Sequence, residues 1–339
     1  MDLQNFVFAE LSQPKLNFSD YDITIAGRRG AGKSTLAVEF FKDTCCIVDV
    51  EKGNKQARGV YKIEPNSWKD IKKTQKEWKK AIKSGARPPF TVLLFDTQTK
   101  LAQMCDDYVL STNGWEDFTQ GDDGVNRWNI RKAEYNTVMN GFKELGFKIV
   151  YICHGKDKQI KLRGQETYNQ FVPEVSASFD YAVLGEVDFV FYLEKVRVKD
   201  AKGDSKEVRR LILQNDLDYD VKCRFPELPD EIIYEEARDG VKEFFHAWDV
   251  AINGKEDVKE VNVPKFDFAS IEVVKDEDDE DDSTLLEDLQ NDAIKVRDTL
   301  LETMERNEVV EILKEHLGSA VVSKCDNIDK LKAFIKAFE

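Results

Sequence analysis

The chain has 339 residues, with 65 Asp and Glu against 50 Lys and Arg, for a formal charge of −15. A hydrophobic fraction of 41% with 11% aromatic residues can build a packed core and excludes global disorder. No apolar run approaches the roughly 18 residues of a membrane span, and MDLQNFVFAELSQPK lacks the basic-then-apolar layout of a secretory signal. Short apolar runs fall at Tyr21–Ala26, Cys45–Val50, Phe90–Phe95, Phe147–Cys153 and Val187–Leu193. Helical spacing predicts helices between them, over Ser34–Lys42, Asn66–Ser84, Gln98–Ser111 and Asn126–Leu145. Apolar strands alternating with helices predict an α/β fold, a mainly parallel sheet covered on both faces. After Leu193, Lys195–Lys199 and Glu207–Gln214 read as a β-hairpin turning at Lys202-Gly203-Asp204.

Residues 255–284 contain Pro264 and seven consecutive carboxylates, Asp276–Asp282. Such a run repels itself, so this stretch is expected to be a disordered acidic linker that spaces the domains or meets a protein partner. Helical spacing returns in three segments, with Gly318 as a stop after Leu317. The predicted organisation is an ATPase-sized core over 1–254, the linker, and a small helical module over 285–339. Residues 256–339 carry 24 acidic and 11 basic side chains, against 41 and 39 in residues 1–255. The acidity is therefore local, and the core is nearly neutral. Six cysteines without a CxxC pair read as reduced thiols of a cytoplasmic protein. With three His, a His-rich metal centre is not expected.

Gly27-Arg28-Arg29-Gly30-Ala31-Gly32-Lys33-Ser34 spells GxxxxGK[ST], directly between a predicted strand and a predicted helix. Glycines let successive backbone N–H groups converge on phosphate, and the helix N-terminus adds a positive dipole. Lys33 is expected to reach the β and γ oxygens of ATP, Ser34 to ligate Mg2+, and Thr35 to help near the α-phosphate. A second Mg2+ anchor is expected at Asp96, the carboxylate ending the apolar strand Thr91–Asp96. Thr97, not Glu, follows it, so the group orienting water must come from elsewhere. Cys46-Ile47-Val48-Asp49-Val50-Glu51 ends a strand expected to lie beside the phosphate-loop strand, which makes Glu51 the candidate.

A phosphate loop, a water-orienting Glu after the second strand, and an Asp-ended strand without its own Glu resemble the RecA-like recombinase ATPases. The nearest resemblance is to phage-encoded RecA-like single-strand annealing proteins, over about residues 20–250. It implies Mg2+-dependent ATP hydrolysis at a subunit interface, single-stranded DNA binding and self-association. In that family the strand after the Asp-ended one closes on a polar sensor of the γ-phosphate. His154 stands there, where the best-known recombinases carry Gln. The resemblance then places a DNA loop over Gly155–Pro173, with Lys156, Lys158, Lys161 and Arg163 for phosphates and Tyr168 and Phe171 for bases. Asn113–Arg131 falls where a first DNA loop would sit, or a subunit contact. A cation donated by a neighbouring subunit would come from Lys195, Arg197, Lys199, Arg209 or Arg210.

Trp68–Arg87 carries eight cations against Asp70 and Glu77, with Trp68, Ile71, Trp78 and Ile82 at helical intervals. It reads as a core-facing stripe backed by a solvated basic face able to meet a polyanion. The C-terminal module reads as a handle for a protein partner or a nucleic acid. An ATP-switched binding factor with little turnover, or another P-loop motor, are the alternative functions.

Overall fold

The computed structural model describes residues 14–338 except 56, 120–124, 161–167, 200–204, 215–217, 254–266, 274–281, 305, 319–320, 323–324 and 326. The chain forms two compact units, Met1–Val274 and Lys275–Glu339.

The first unit is built on five parallel-paired central strands: β1 (Ile23–Gly27), β2 (Cys45–Asp49), β4 (Val92–Asp96), β5 (Lys148–Ile160) and β7 (Phe189–Lys199). The short β3 (Tyr61–Ile63) adds in parallel beside β2, and β8 (Ser205–Ile212) and β9 (Glu231–Tyr234) extend the sheet antiparallel beyond β7. The order across the sheet is β3-β2-β4-β5-β1-β7-β8-β9. Strands β1, β2 and β4 are buried along their whole length, as expected for strands covered on both faces.

Two apolar layers explain that burial. On one face, α2 (Trp68–Lys83), α3 (Gln98–Asn113) and α4 (Arg127–Glu144) pack Trp68, Leu101, Tyr135 and Phe142 against Phe95 and Tyr151. On the other, α1 (Lys33–Phe41) and α5 (Ala237–Asn253) pack Leu36, Phe40, Phe244 and Trp248 against Ile25, Phe189 and Phe191. The predicted α/β fold is therefore the observed one, with antiparallel strands at one edge. The expected hairpin is β7 and β8, whose turn lies outside the described residues.

Two segments differ from expectation. Asp267–Val273, within the stretch read as linker, forms β10, antiparallel to the outer end of β7. That part of β7 lies beyond its pairing with β1 and so has a free edge there to accept a strand. The stretch Gly155–Pro173, read as a loop, is instead a hairpin: β5 runs on to Ile160 and β6 (Tyr168–Pro173) pairs back along it.

The second unit contains α6 (Asp282–Thr303), α7 (Arg306–Leu317) and α8 (Ile328–Phe338). Ala293, Val309, Leu313, Leu317, Leu331 and Phe334 form its core. Helix α7 ends at Gly318, whose φ of 75° suits a glycine stop. The acidic run up to Asp281 lies outside the described residues.

Candidate nucleotide site

The sheet register brings the sequence-predicted residues to one edge. Gly27 ends β1 opposite His154 of β5, and Asp96 ends β4 opposite Asp49 of β2. Ligands of open parallel sheets sit at this carboxyl edge, where loops leave the strands.

The phosphate loop is shaped by its glycines. A Cβ on Gly27 would lie 2.1 Å from the Leu193 carbonyl oxygen of β7, so only glycine fits there. Gly30 and Gly32 hold φ of 74° and 98°, the left-handed region, which turns the loop into α1 at Lys33. Lys33 is buried, and its Nζ donates to the carbonyls of Gly27 and Arg28, both at 2.8 Å. Ala31 is buried while Arg29 is exposed, so Arg29 stands away from the loop interior. Thr35 is exposed beside the half-buried Ser34 at the start of α1.

Asp96 is buried and hydrogen-bonded to the Ser34 hydroxyl, with Asn54 Nδ2 donating to its Oδ2 at 2.9 Å. Burial pushes its carboxyl above the ordinary range, while Ser34 and Asn54 pull the other way. A hydroxyl paired with a buried carboxylate is the hard oxygen donor set that suits Mg2+, and a cation there would offset the cost of ionising Asp96. Among the described residues no group of three or more His, Cys, Asp or Glu could hold a metal ion by itself. A cation at Ser34 and Asp96 would therefore depend on phosphate oxygens to complete its shell.

Glu51 was expected on a strand next to β1. Its strand β2 is instead separated from β1 by β4 and β5. It still reaches the centre of the edge, because the chain after β2 folds back over β4: Val50 N donates to the Asp96 carbonyl at 2.9 Å. Glu51 Oε1 accepts a hydrogen bond from the Thr97 hydroxyl and lies 3.8 Å from His154 Nε2. His154 is the largest influence holding the Glu51 carboxyl below the ordinary range, against partial burial and with Thr97 and Lys33 helping. An ionised carboxylate half open to solvent at the phosphate edge is able to orient water.

Three supporting groups were not recognised from sequence. Asp49 is buried and accepts from the backbone N–H of Gly53 and Asn54, at 3.1 and 3.0 Å. It thereby fixes the loop that delivers Asn54 to Asp96. The signal was present as an Asp followed by Gly53-Asn54, a local side-chain-to-backbone turn. Thr97, noted only as a missing Glu, is the hydroxyl that orients Glu51. Arg209 of β8 lies beside this chain's own phosphate loop, its Nε 3.8 Å from where a Cβ on Gly32 would stand.

The other expected cations separate. Arg210 meets the buried Glu194 at 2.6 Å and Glu231 at 3.4 Å, which commits it to the interior under β7. Arg197 and Lys199 remain exposed on β7. In the β5–β6 hairpin, Lys156 and Lys158 are exposed, while Lys161 and Arg163 lie outside the described residues. Phe171 was expected to stack on bases. It is instead buried, with the Arg28 guanidinium 4.7 Å above its ring. Arg28 also pairs with Asp157 at 2.9 Å, so a phosphate-loop residue grips the hairpin between its two exposed lysines. In the segment over Asn113–Arg131, Arg131 is buried in a two-pronged pair with Asp106, which makes it structural.

A parallel-sheet core with this phosphate loop and an Asp-ended strand beside it defines a P-loop ATPase domain. The chain belongs to the AAA domain family, which it matches over residues 19–225. It is also 24% identical over 312 residues to the SPbeta prophage-derived uncharacterized protein YorG of Bacillus subtilis (strain 168). That similarity covers 89% of this chain and 87% of the relative. No helix among the described residues is long and apolar enough to cross a membrane.

Proposed function

We propose that this chain is a Mg2+-dependent ATPase that binds single-stranded DNA and promotes annealing or recombination, acting as an oligomer. The observation that carries the reading is the meeting of Lys33, Ser34 and Asp96 with the Glu51–His154–Thr97 group at one sheet edge. The prophage name of the relative agrees with a phage setting, where such an activity has a use.

In this reading the loop Gly27–Ser34 wraps the β-phosphate through its backbone N–H groups. Lys33 leaves its two carbonyls to meet phosphate oxygens, and Thr35 stands near the α-phosphate. Ser34 and Asp96 hold Mg2+, which would supply charge neutralisation on the phosphates. Glu51, ionised and fixed by Thr97, accepts a hydrogen bond from the attacking water and aligns it. His154 holds Glu51 and donates toward the γ-phosphate. Arg209 adds positive charge from the same subunit, in place of a cation from a neighbour. Arg197 and Lys199 stay available for a neighbouring site.

The Arg28–Asp157 pair suggests how nucleotide state reaches DNA. Phosphate competes with Asp157 for Arg28, and the hairpin bearing Lys156 and Lys158 is free to shift when that grip changes. The test is fluorescence anisotropy of a labelled single-stranded oligonucleotide, with Mg2+-ATP or ADP, at low and moderate salt. Expected is binding at least about tenfold tighter with ATP and weaker at higher salt. Absence of salt-sensitive binding in both nucleotide states would rule out single-stranded DNA as the ligand.

A further inference from the structure

We infer that the outer face of α2 is a docking surface for the backbone of duplex DNA, separate from the nucleotide edge. Helix α2 divides sharply. Trp68 and Ile71 are buried, Trp78 and Ile82 pack on the core, and Gln75 donates to the Val138 carbonyl. Opposite them, Lys69, Lys73, Lys76, Lys80 and Lys83 are exposed at steps of three and four residues, with Lys79 beside them. That spacing makes a straight row of cations spanning about 21 Å at 1.5 Å per residue.

The helix's own carboxylates do not neutralise the row. Asp70 is taken up in the N-terminal cap, accepting from Asn66 N and the Ser67 hydroxyl. Glu77 pairs with Lys80 alone, at 2.9 Å. Among the described residues, no ion pair within 4 Å is formed by Lys69, Lys73, Lys76, Lys79 or Lys83. Lys72 is not part of the row, because it turns inward to Tyr108 and Glu134. Such a concentration of cations sits in a chain whose formal charge is −15, so the positive field is local to this face.

The occupant follows from what the face lacks. Both tryptophans of α2 face the core, so the row offers no aromatic platform of the kind that holds single-stranded bases. It offers only charge, on a rigid rod. A duplex presents a dense, stiff array of phosphates that can be met without ordering a flexible strand and without reading bases. This surface does not depend on ATP, so it can succeed or fail apart from the proposed ATPase.

The test is nucleotide-free anisotropy of a short labelled duplex of mixed sequence, titrated between roughly 50 and 200 mM salt. Three full-length proteins are compared: the wild type, a row variant carrying Lys→Gln at 69, 73, 76, 80 and 83, and a control. The control carries Lys242→Gln, Lys295→Gln, Lys314→Gln, Lys332→Gln and Lys336→Gln, all at exposed positions and with the same change in charge. Unchanged melting temperatures certify folding, which substitutions on an exposed face should preserve. The row variant should show a log–log salt slope shallower by about 3–4, at roughly 0.9 per lost phosphate contact, with the control near wild type. No duplex binding by the wild type, equal loss in both variants, or loss of single-strand binding with duplex binding kept would each overturn the inference. The first would leave an acidic protein as the occupant; the last, a single strand.

Discussion

Glu51→Gln is expected to lower ATP turnover by about 10²–10⁴-fold while nucleotide binding persists. The amide is nearly the same shape, so Thr97 can still donate to the side-chain oxygen. What is lost is the negative charge that accepts a proton from water. The variant should therefore retain bound ATP, measurable as nucleotide co-eluting with the protein on a desalting column. Turnover unchanged from wild type would remove Glu51 from the mechanism. The group also fixes a pH dependence. His154, more than any other neighbour, holds the Glu51 carboxyl below the ordinary range. A depressed folded value keeps the carboxylate ionised as pH falls, and it adds stability above the unfolded value that disappears as pH falls through the folded one. His154→Ala removes that support, so the acid limb of the pH–rate profile should move to higher pH. A merely structural His154 would lower the rate without moving the limb.

Lys33→Ala should weaken nucleotide affinity on the order of 100-fold, the loss expected for charge-assisted hydrogen bonds in a buried site. The nucleotide-free protein holds this ammonium on two carbonyls, those of Gly27 and Arg28. Truncation leaves both oxygens without that donor, so a modest fall in melting temperature should accompany the functional loss. The two effects separate on addition of Mg2+-ATP. The wild type should gain thermal stability by mass action, and the variant should not gain at matched concentrations. An equal gain in both would show that nucleotide binds without the phosphate-loop lysine.

Much of this was legible in the sequence because local signals agreed. Gly27–Ser34 stood between an apolar run and a helical pattern, and the structure places β1 and α1 there. Each apolar run became a strand because both faces are covered, which removes the alternation of half-buried strands. Less visible were elements whose existence depends on partners far along the chain. Strand β3 is three residues long, too short for any pattern, and exists because β2 offers it an edge. Helix α5 contains Gly240, which reads as a breaker. A Cβ there would lie 2.5 Å from the Tyr234 ring, so packing against β9 explains the glycine. β10 forms because β7 outruns β1.

At the site, the residue types were readable and their neighbours were not. Glu51 was singled out for ending an apolar strand, but its placement beside β1 failed because strand order is not encoded locally. The strand carrying His154 inserts between those of Gly27 and Asp96. That insertion brings His154 to Glu51, a contact across about a hundred residues that no spacing rule contains. Arg209 was read as a cation for a neighbouring subunit for the same reason. Only the return of β8 along β7 shows that it lies by Gly32 of its own chain.

The most direct single measurement is steady-state phosphate release from Mg2+-ATP by the full-length wild type, with and without single-stranded DNA. The expected result is turnover that rises when DNA is added, since the edge holding Glu51 is tied to the hairpin through Arg28 and Asp157. No phosphate release under either condition would contradict an ATPase. Release indifferent to DNA would contradict the coupling between the nucleotide edge and the hairpin.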